Sequence, residues 1–353
     1  MSSTSPECLT TVASKVDDRL DRLFAEQTAQ WAAQDPRLNE AVDELTSVMS
    51  SGGKRLRAGF CYWAWRGAAG PGADERVIID VGAAFELLQT FALIHDDIMD
   101  DSDTRRGRPT VHVRQAQRLT EFGWQGEPRR FGEGVAILVG DLSHAYADAL
   151  MADTAPQARR IWDDLRIELN LGQYLDLRSA AAGELDRDTA HRVSTFKSAL
   201  YTIVRPLQLG ATVGGGTSAD LHARLDEFGR PLGRAFQLRD DLLGVLGDAE
   251  RIGKPVGDDL REGKPTELVA FAMNKADTCQ AAVLAEVGRR DLSSAEVDAI
   301  VTVLVDTGAV AEIERRIATL VAESEAVLPQ LPFDNDAQDA LAALAKYVAA
   351  RNI

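Results

Sequence analysis

Phe91-Ala92-Leu93-Ile94-His95-Asp96-Asp97-Ile98-Met99-Asp100-Asp101-Ser102-Asp103 is the stretch on which the reading of this 353-residue chain turns. It closes a segment, residues 74–101, whose apolar side chains recur at three- and four-residue steps, the mark of a helix with a buried face. On that helix Asp96 and Asp100 stack one turn apart, and Asp97 lies close to Asp100. Five carboxylates within eight residues repel one another unless something cationic sits among them. Hard oxygen ligands on one helical face suit Mg²⁺, which keeps several waters and takes one or two carboxylates together with substrate phosphates. A solvated acidic helix end is the plainer alternative, but Phe91-Ala92-Leu93-Ile94 is too apolar for a free surface helix.

The same periodicity continues outward in both directions. Leu9, Val12, Val16, Leu20, Leu23, Phe24 and Trp31 mark one buried helical face near the start. Similar patterns run through roughly 37–50, 55–67, 133–153, 156–183, 187–213, 218–246, 265–288, 293–327 and 334–351. Strand signals are scarce. Breaks are expected at 67–72, 104–131, 214–216 and 247–265, and two of these long loops directly follow an aspartate-rich helix end. No change of composition interrupts the helices, so the sequence predicts an all-α protein with residues 1–353 in a single domain.

Composition narrows the function. The chain carries 55 Asp+Glu against 39 Lys+Arg, a net charge of −16, which argues against nucleic acid or an anionic membrane surface as the main partner. Its 45% hydrophobic content supports a large core rather than a disordered chain. Cys8, Cys61 and Cys279 are odd in number and far apart, which fits a reducing cytoplasm. No run of about 18 uninterrupted apolar residues exists, so no membrane span is expected.

A second acidic run reads Phe236-Gln237-Leu238-Arg239-Asp240-Asp241-Leu242-Leu243-Gly244-Val245-Leu246-Gly247-Asp248. Two such runs in one helical protein can hold metal ions between them. Basic residues supply the complement. Gly52-Gly53-Lys54-Arg55-Leu56-Arg57 has the composition of an anion-binding turn before a helix, without the spacing of a P-loop. Arg105-Arg106-Gly107-Arg108 follows the first acidic run, and Lys197, Lys254 and Lys264 are further candidates. A diphosphate is the simplest ligand for carboxylates that hold metal beside Lys and Arg. No nucleophile stands out: Gly-x-Ser-x-Gly is absent, the cysteines lack zinc spacing, and His95 and His112 read as packed histidines. Catalysis would therefore rest on electrostatic stabilisation of a leaving group in a closed apolar pocket.

Along nearly its whole length the chain resembles the trans-isoprenyl diphosphate synthases, the polyprenyl synthetases. The matching residues are Gly53-Lys54-Arg55-Leu56-Arg57, Leu87-Leu88-Gln89, Asp96-Asp97-x-x-Asp100, Arg105-Arg106-Gly107 and Gly140-Asp141. They continue with Gly172-Gln173-x-x-Asp176-Leu177, Lys197-Ser198-Ala199-Leu200-Tyr201, Phe236-Gln237-x-x-Asp240-Asp241, and Gly253-Lys254 through Asp259 to Lys264. The resemblance implies a helical barrel around a deep central cavity, usually in a homodimer, and head-to-tail prenyl transfer. Asp96, Asp97, Asp100 and Asp240 would bind about three Mg²⁺, with Mn²⁺ as an alternative ion, on an allylic diphosphate of C5, C10 or C15. Arg105, Lys197 and Lys254 would hold the same diphosphate. Lys54, Arg57, Gln89 and Arg106 would bind isopentenyl diphosphate. Main-chain carbonyls near Lys197 and Ser198 would stabilise the carbocation, and Gln237 and Lys264 join the substrate-binding set.

Three positions depart from the family pattern. Gly244 stands where the second motif usually has its last aspartate. Ala58 replaces a proline after the basic motif, and Pro265 replaces a second basic residue after Lys264. In the family a large residue five positions before the first motif floors the product cavity. Here that residue is Phe91, with small Ala92 beside it, a pairing that resembles synthases of the C20 product, geranylgeranyl diphosphate. C15 or somewhat longer products are the alternatives. By helix geometry alone, at about 100° per residue, Phe91 lies roughly 140° around from Asp96, with Ala92 and Gln89 beneath it. Terpene cyclases share the fold, but their second metal motif needs a hydroxyl where this chain has Gly244. A regulatory subunit is a further alternative, disfavoured by the intact first motif and basic set.

Overall fold

The computed structural model describes residues 5–182, 192, 194–247, 257–264 and 266–350. In chain order the helices are α1 (Glu7–Ala32), α2 (Asn39–Ser50), α3 (Leu56–Ala69), α4 (Arg76–Met99), α5 (Val111–Glu121), α6 (Pro128–Leu150) and α7 (Pro156–Ala182). A π-helical stretch, Ser194–Val204, leads into α8 (Arg205–Val213). Then follow α9 (Ala219–Leu246), α10 (Asp258–Glu262), α11 (Glu267–Lys275), α12 (Thr278–Leu284), α13 (Ser294–Asp306), α14 (Ala309–Glu325) and α15 (Asn335–Ala350). Among the described residues the strands are β1 (Thr104–Arg105) and β2 (Arg108–Pro109), a hairpin with Thr104 opposite Pro109 and Arg105 opposite Arg108. The all-α expectation holds.

The chain divides into two compact units, one of Glu7–Tyr62 and Gly72–Ala155, the other of Met1–Pro6, Trp63–Pro71 and Pro156–Ile353. In the first, α4 packs against α1, α2 and α6, and α5 lies along α6. The face of α1 expected to be buried is buried at Leu9, Val12, Val16, Leu20, Leu23 and Phe24. Each such side chain withdrawn from water is worth about 1.5–3 kcal/mol before entropy is charged against it. Trp31, at the end of the stripe, is half-buried and donates from Nε1 to Tyr146 Oη at 3.1 Å. In the second unit α9 is the central element, with the π-helical stretch, α14 and α15 against it. Gly229 and Gly233, one turn apart, allow that approach: a Cβ at 233 would lie 2.6 Å from the Ala199 Cβ, and one at 229 would lie 2.9 Å from Val204 Cγ2.

The segment expected to be a loop over 104–131 contains α5, and the irregular part shrinks to 122–127. The buried face of α5 explains why periodicity missed it. It consists of Val111, His112, Gln115 and Leu119, so half of the stripe is polar. Gln115 is accommodated because its Nε2 donates to Glu44 Oε1 at 2.8 Å. Helix α5 also sits unusually close to α6. A Cβ at Gly132 would come within 2.1 Å of the His112 carbonyl oxygen.

By length and composition α4 could cross a membrane, with a mean hydropathy of 1.8, but 67% of that window is buried inside the protein. It is a core helix, and Glu86 and Asp97 are among its buried residues.

Gly132→Ala is expected to lower the unfolding free energy by about 1–3 kcal/mol, the usual cost of overpacking. Urea titration reads this directly, and an unchanged midpoint would show that α5 moves away without cost.

Candidate active site

In the first unit the site residues gather around the end of α4. Asp100 caps the helix, its N–H donating to the Asp96 carbonyl at 2.8 Å, and Asp101 then takes a left-handed conformation with φ 56°. Aspartate tolerates that region better than most residues. The chain reverses, and Arg106 and Gly107 at φ 53° and 72° form the two-residue turn of the β1–β2 hairpin. Two positive φ values in sequence are what a type I′ turn requires. The hairpin aims Arg105 back at α4, where its Nε and Nη2 both reach Asp97 Oδ1 at 2.7 Å. Asp97 is only 5% exposed, so Arg105 compensates a charge that water cannot reach. Asp96 is half-exposed and Asp100 is exposed.

The hairpin also binds the basic turn that precedes α3. Arg106 Nη1 donates to the Gly52 carbonyl and, at 3.2 Å, to Ser51 Oγ. Within this turn the arginines divide their work. Arg55, at φ 51°, is held by Asp17 and by the buried Glu86, each at 2.9 Å. Burial alone would weaken its charge, but Glu86 and Asp17 more than offset that and raise its pKa. Arg106 is held below the usual arginine range by partial withdrawal from water and by repulsion from Arg105 and Arg55. Three guanidinium groups thus crowd one place, an electropositive patch suited to an anion. Lys54 is exposed and Arg57 half-buried at the start of α3. Gln89 contributes an Oε1 that is buried without a hydrogen-bond partner, an unmet acceptor that calls for one.

Phe91 falls on the stripe of α4 that faces α6. Its ring stacks on His144 at 4.9 Å and meets His95 edge-on at 4.6 Å. Ser143 Oγ donates to the Leu87 carbonyl on the same stripe. Ala92 and Asp96 lie on the next face around, as helix geometry indicates. His95 is a packed side chain, with Nε2 3.1 Å from the Ile137 carbonyl. Gly140 makes room for it, since a Cβ there would lie 2.3 Å from that nitrogen. His112 is buried against Thr110 Oγ1.

In the second unit the residues gather around the end of α9. Asp240 is exposed, whereas Asp241 is 6% exposed and accepts from Gln237 Nε2 at 2.8 Å. Burial pushes the Asp241 carboxyl up to about 7, against the pull of Lys264 and Gln237. Arg239 turns away into a bidentate pair with Glu314, both contacts at 2.6 Å. Lys264 Nζ lies 3.8 Å from Asp259 Oδ1. Its pKa is raised, first by Asp259, then against burial by Asp241 and Asp176, although 42% of the side chain stays open to water that screens them. Lys254 and Asp248 lie outside the described residues, as do the side chains of Lys197 and Ser198.

Among the described residues no three acidic, histidine or cysteine side chains already converge as a metal cage. Mg²⁺ fills its shell with water and phosphate oxygens around one or two carboxylates. In the first unit Asp100 is exposed and Asp96 half-exposed, with Asp97 in contact with Arg105; in the second unit Asp240 is exposed. Two contributors were not singled out from sequence. Glu86 and Asp17 orient the basic turn through Arg55. A lone carboxylate inside the apolar run 81–94 was the available signal for Glu86, because a buried charge needs a partner.

Comparison with known proteins adds four findings. The polyprenyl synthetase family profile matches residues 36–304. The crystal structure of the geranylgeranyl pyrophosphate synthase from Corynebacterium glutamicum, complexed with isoprenyl diphosphate and magnesium, superposes with a TM-score of 0.91 at 36% identity, covering 98% of this chain and 99% of that one. The geranylfarnesyl diphosphate synthase of Aeropyrum pernix is 33% identical over 86% of this chain and 92% of its own length. The geranylgeranyl diphosphate synthase of Sulfolobus acidocaldarius is 35% identical over 66% of each.

Glu86→Gln tests the basic turn. Removing one member of a buried ion pair costs about 3–5 kcal/mol, and the low end is expected because Asp17 keeps hold of Arg55. Chemical denaturation that shows no loss of stability would mean that Asp17 alone secures Arg55.

Proposed function

This chain belongs to the polyprenyl synthetase family and is a trans-prenyltransferase, and we propose that it extends an allylic diphosphate with isopentenyl diphosphate to give mainly geranylgeranyl diphosphate. The observation that carries this reading is the joining of Asp97, Arg105 and Arg106 to the basic turn at 52–57, beside the half-exposed Asp96 and the exposed Asp100. Carboxylates and guanidinium groups in one patch suit a ligand that is itself anionic and metal-bound.

The allylic diphosphate is held by Arg105, Lys197 and Lys254, and isopentenyl diphosphate by Lys54, Arg57, Gln89 and Arg106, with Ser198, Gln237 and Lys264 completing the set. About three Mg²⁺, with Mn²⁺ as an alternative, bound through Asp96, Asp97, Asp100 and Asp240 would supply Lewis-acid stabilisation of the leaving diphosphate. The allylic C–O bond breaks and the electron pair leaves with the diphosphate. The isopentenyl double bond attacks the cation, a new C–C bond forms, and a proton is lost to the departing diphosphate. The cations of this chain stabilise charge as it develops on oxygen, which is where electrostatic catalysis acts.

Relatives named for C20 and C25 products favour a C20 or longer product over C15. Phe91 bounds the growing chain in this reading, backed by His144, and Ala92 leaves the adjacent face open. The assembly is a homodimer, supported by apolar side chains left exposed on α6 at Ile137 and Leu138 and on α7 at Ile167, Leu171 and Tyr174. Light scattering at the mass of one chain would refute that. The compartment is the reducing cytoplasm, in keeping with Cys61 as a buried free thiol.

The decisive assay incubates the protein with Mg²⁺, labelled isopentenyl diphosphate and each of the C5, C10 and C15 allylic partners, then sizes the products. Label in a C20 product is expected, and no incorporation would eliminate the reading. Asp96→Ala should abolish turnover, with unchanged activity refuting the metal assignment. Phe91→Ala should lengthen the product, and an unaltered product spectrum would put the floor elsewhere.

A further inference from the structure

The turn between α5 and α6 takes no part in the chemistry described so far. Residues 121–127 are exposed without interruption, and two of them are large aromatics, Phe122 at 61% and Trp124 at 45% exposure. Their rings stack at 5.3 Å, and Trp124 meets Phe131 edge-on at 5.9 Å. The Arg118 guanidinium lies 5.5 Å from the Phe122 ring and 5.8 Å from the Trp124 ring. A single exposed apolar side chain needs no explanation, but a stacked aromatic cluster at the surface does. We propose that this turn is a membrane-docking tip, which lays Phe122 and Trp124 into the interface of a zwitterionic lipid bilayer.

The backbone fixes the tip at both ends. Helix α5 closes in a Schellman motif: Gly123 takes φ 63°, its N–H donates to the Thr120 carbonyl at 3.2 Å, and the Trp124 N–H donates to the Leu119 carbonyl at 3.0 Å. Helix α6 opens on Pro128 after Glu127, whose carboxylate accepts from the Arg129 and Arg130 N–H groups at 3.0 and 2.6 Å. Aromatics presented on a turn secured in this way lose little further freedom on binding.

Shape, charge and place select lipid as the occupant. A turn exposed at every residue is convex, and a fluid surface accepts it where a protein partner would need a matching groove. Residues 118–130 carry Arg118, Arg129 and Arg130 against Glu121 and Glu127, so the tip is locally +1 in a chain of −16. Aromatic rings at headgroup level and arginine on lipid phosphate are the contacts by which a protein lies on a bilayer. The overall charge decides the kind of lipid, because an anionic surface would repel the rest of the chain and a zwitterionic one does not. The tip also shares one end of its unit with the first motif: Arg129 Nη2 lies 3.3 Å from Asp101 Oδ1, next to the residue that caps α4. A prenyl diphosphate formed there carries a hydrocarbon tail that belongs in lipid, and docking shortens its path through water. The docking stands on the patch itself, and this purpose for it rests on the prenyl-transfer reading.

The test sediments the protein with phosphatidylcholine vesicles and reads contact from quenching of tryptophan by brominated phosphatidylcholine. Wild type is expected to bind no more tightly than a single acyl chain, about 10⁴ M⁻¹. Quenching should act chiefly on Trp124, since Trp65 and Trp162 are buried and Trp31 and Trp63 half-buried. Phe122→Ser/Trp124→Ser should bind at least about tenfold more weakly, the loss expected when large apolar side chains no longer leave water. That variant should keep the wild-type melting temperature and its isopentenyl incorporation in vesicle-free buffer. Trp124→Phe should keep the binding and lose most of the quenching. Wild type that stays in the supernatant, a double variant that sediments equally, or quenching unchanged in Trp124→Phe would each overturn the proposal. Concentration-dependent self-association in light scattering, abolished in the double variant, would assign the patch to a second copy of the chain instead. Vesicle binding needs no substrate and incorporation needs no vesicle, so the docking and the prenyl-transfer reading can each fail alone.

Discussion

A carboxylate that water can barely reach needs a cation in contact, and Asp97 has Arg105. The first half of the site depends on that requirement. Arg105 reaches Asp97 because α4 stops at Asp100, Asp101 turns left-handed, and a two-residue hairpin turn reverses the chain. The same turn puts Arg106 on the Gly52 carbonyl, which fixes the basic segment entering α3. Arg55 closes the arrangement by reaching Asp17 and Glu86. Burying such pairs is close to neutral for stability, because desolvation offsets most of the attraction. Their contribution is position. They hold cations and carboxylates, like charges included, in one patch where neither set would gather unaided.

Most of the fold was legible because it rests on period-3.6 burial. The helix bounds expected for 156–183, 218–246 and 334–351 fall within a residue or two of α7, α9 and α15. The exceptions have physical causes. Helix α5 was read as loop because Gln115 and His112 occupy half of its buried stripe, and tertiary hydrogen bonds rather than apolar contact satisfy them. The segment 293–327 divides at Gly308, whose φ of 77° ends one helix and begins the next.

The candidate site was legible at a coarser level. Spacing put Asp96, Asp97 and Asp100 on one helix end, but it could not separate the buried Asp97 from the half-exposed Asp96 and the exposed Asp100. It likewise could not foresee that Arg55 and Arg239, each inside a motif, are held by structural carboxylates. Those distinctions depend on partners far away in sequence, Glu86 and Glu314 among them.

The acidity of the chain follows the same logic. Residues 96–103 and 240–259 hold eleven acidic and two basic side chains, a net of −9 of the total −16. Charge concentrated in this way destabilises a folded protein unless its counter-ions come from a ligand. If Mg²⁺ and diphosphate together supply those counter-ions, each should bind more strongly in the presence of the other. A thermal melt tests this directly, with Mg²⁺ alone, inorganic diphosphate alone, and both together. A rise in melting temperature with both that exceeds the sum of the separate effects is expected. Equal or purely additive shifts would contradict it.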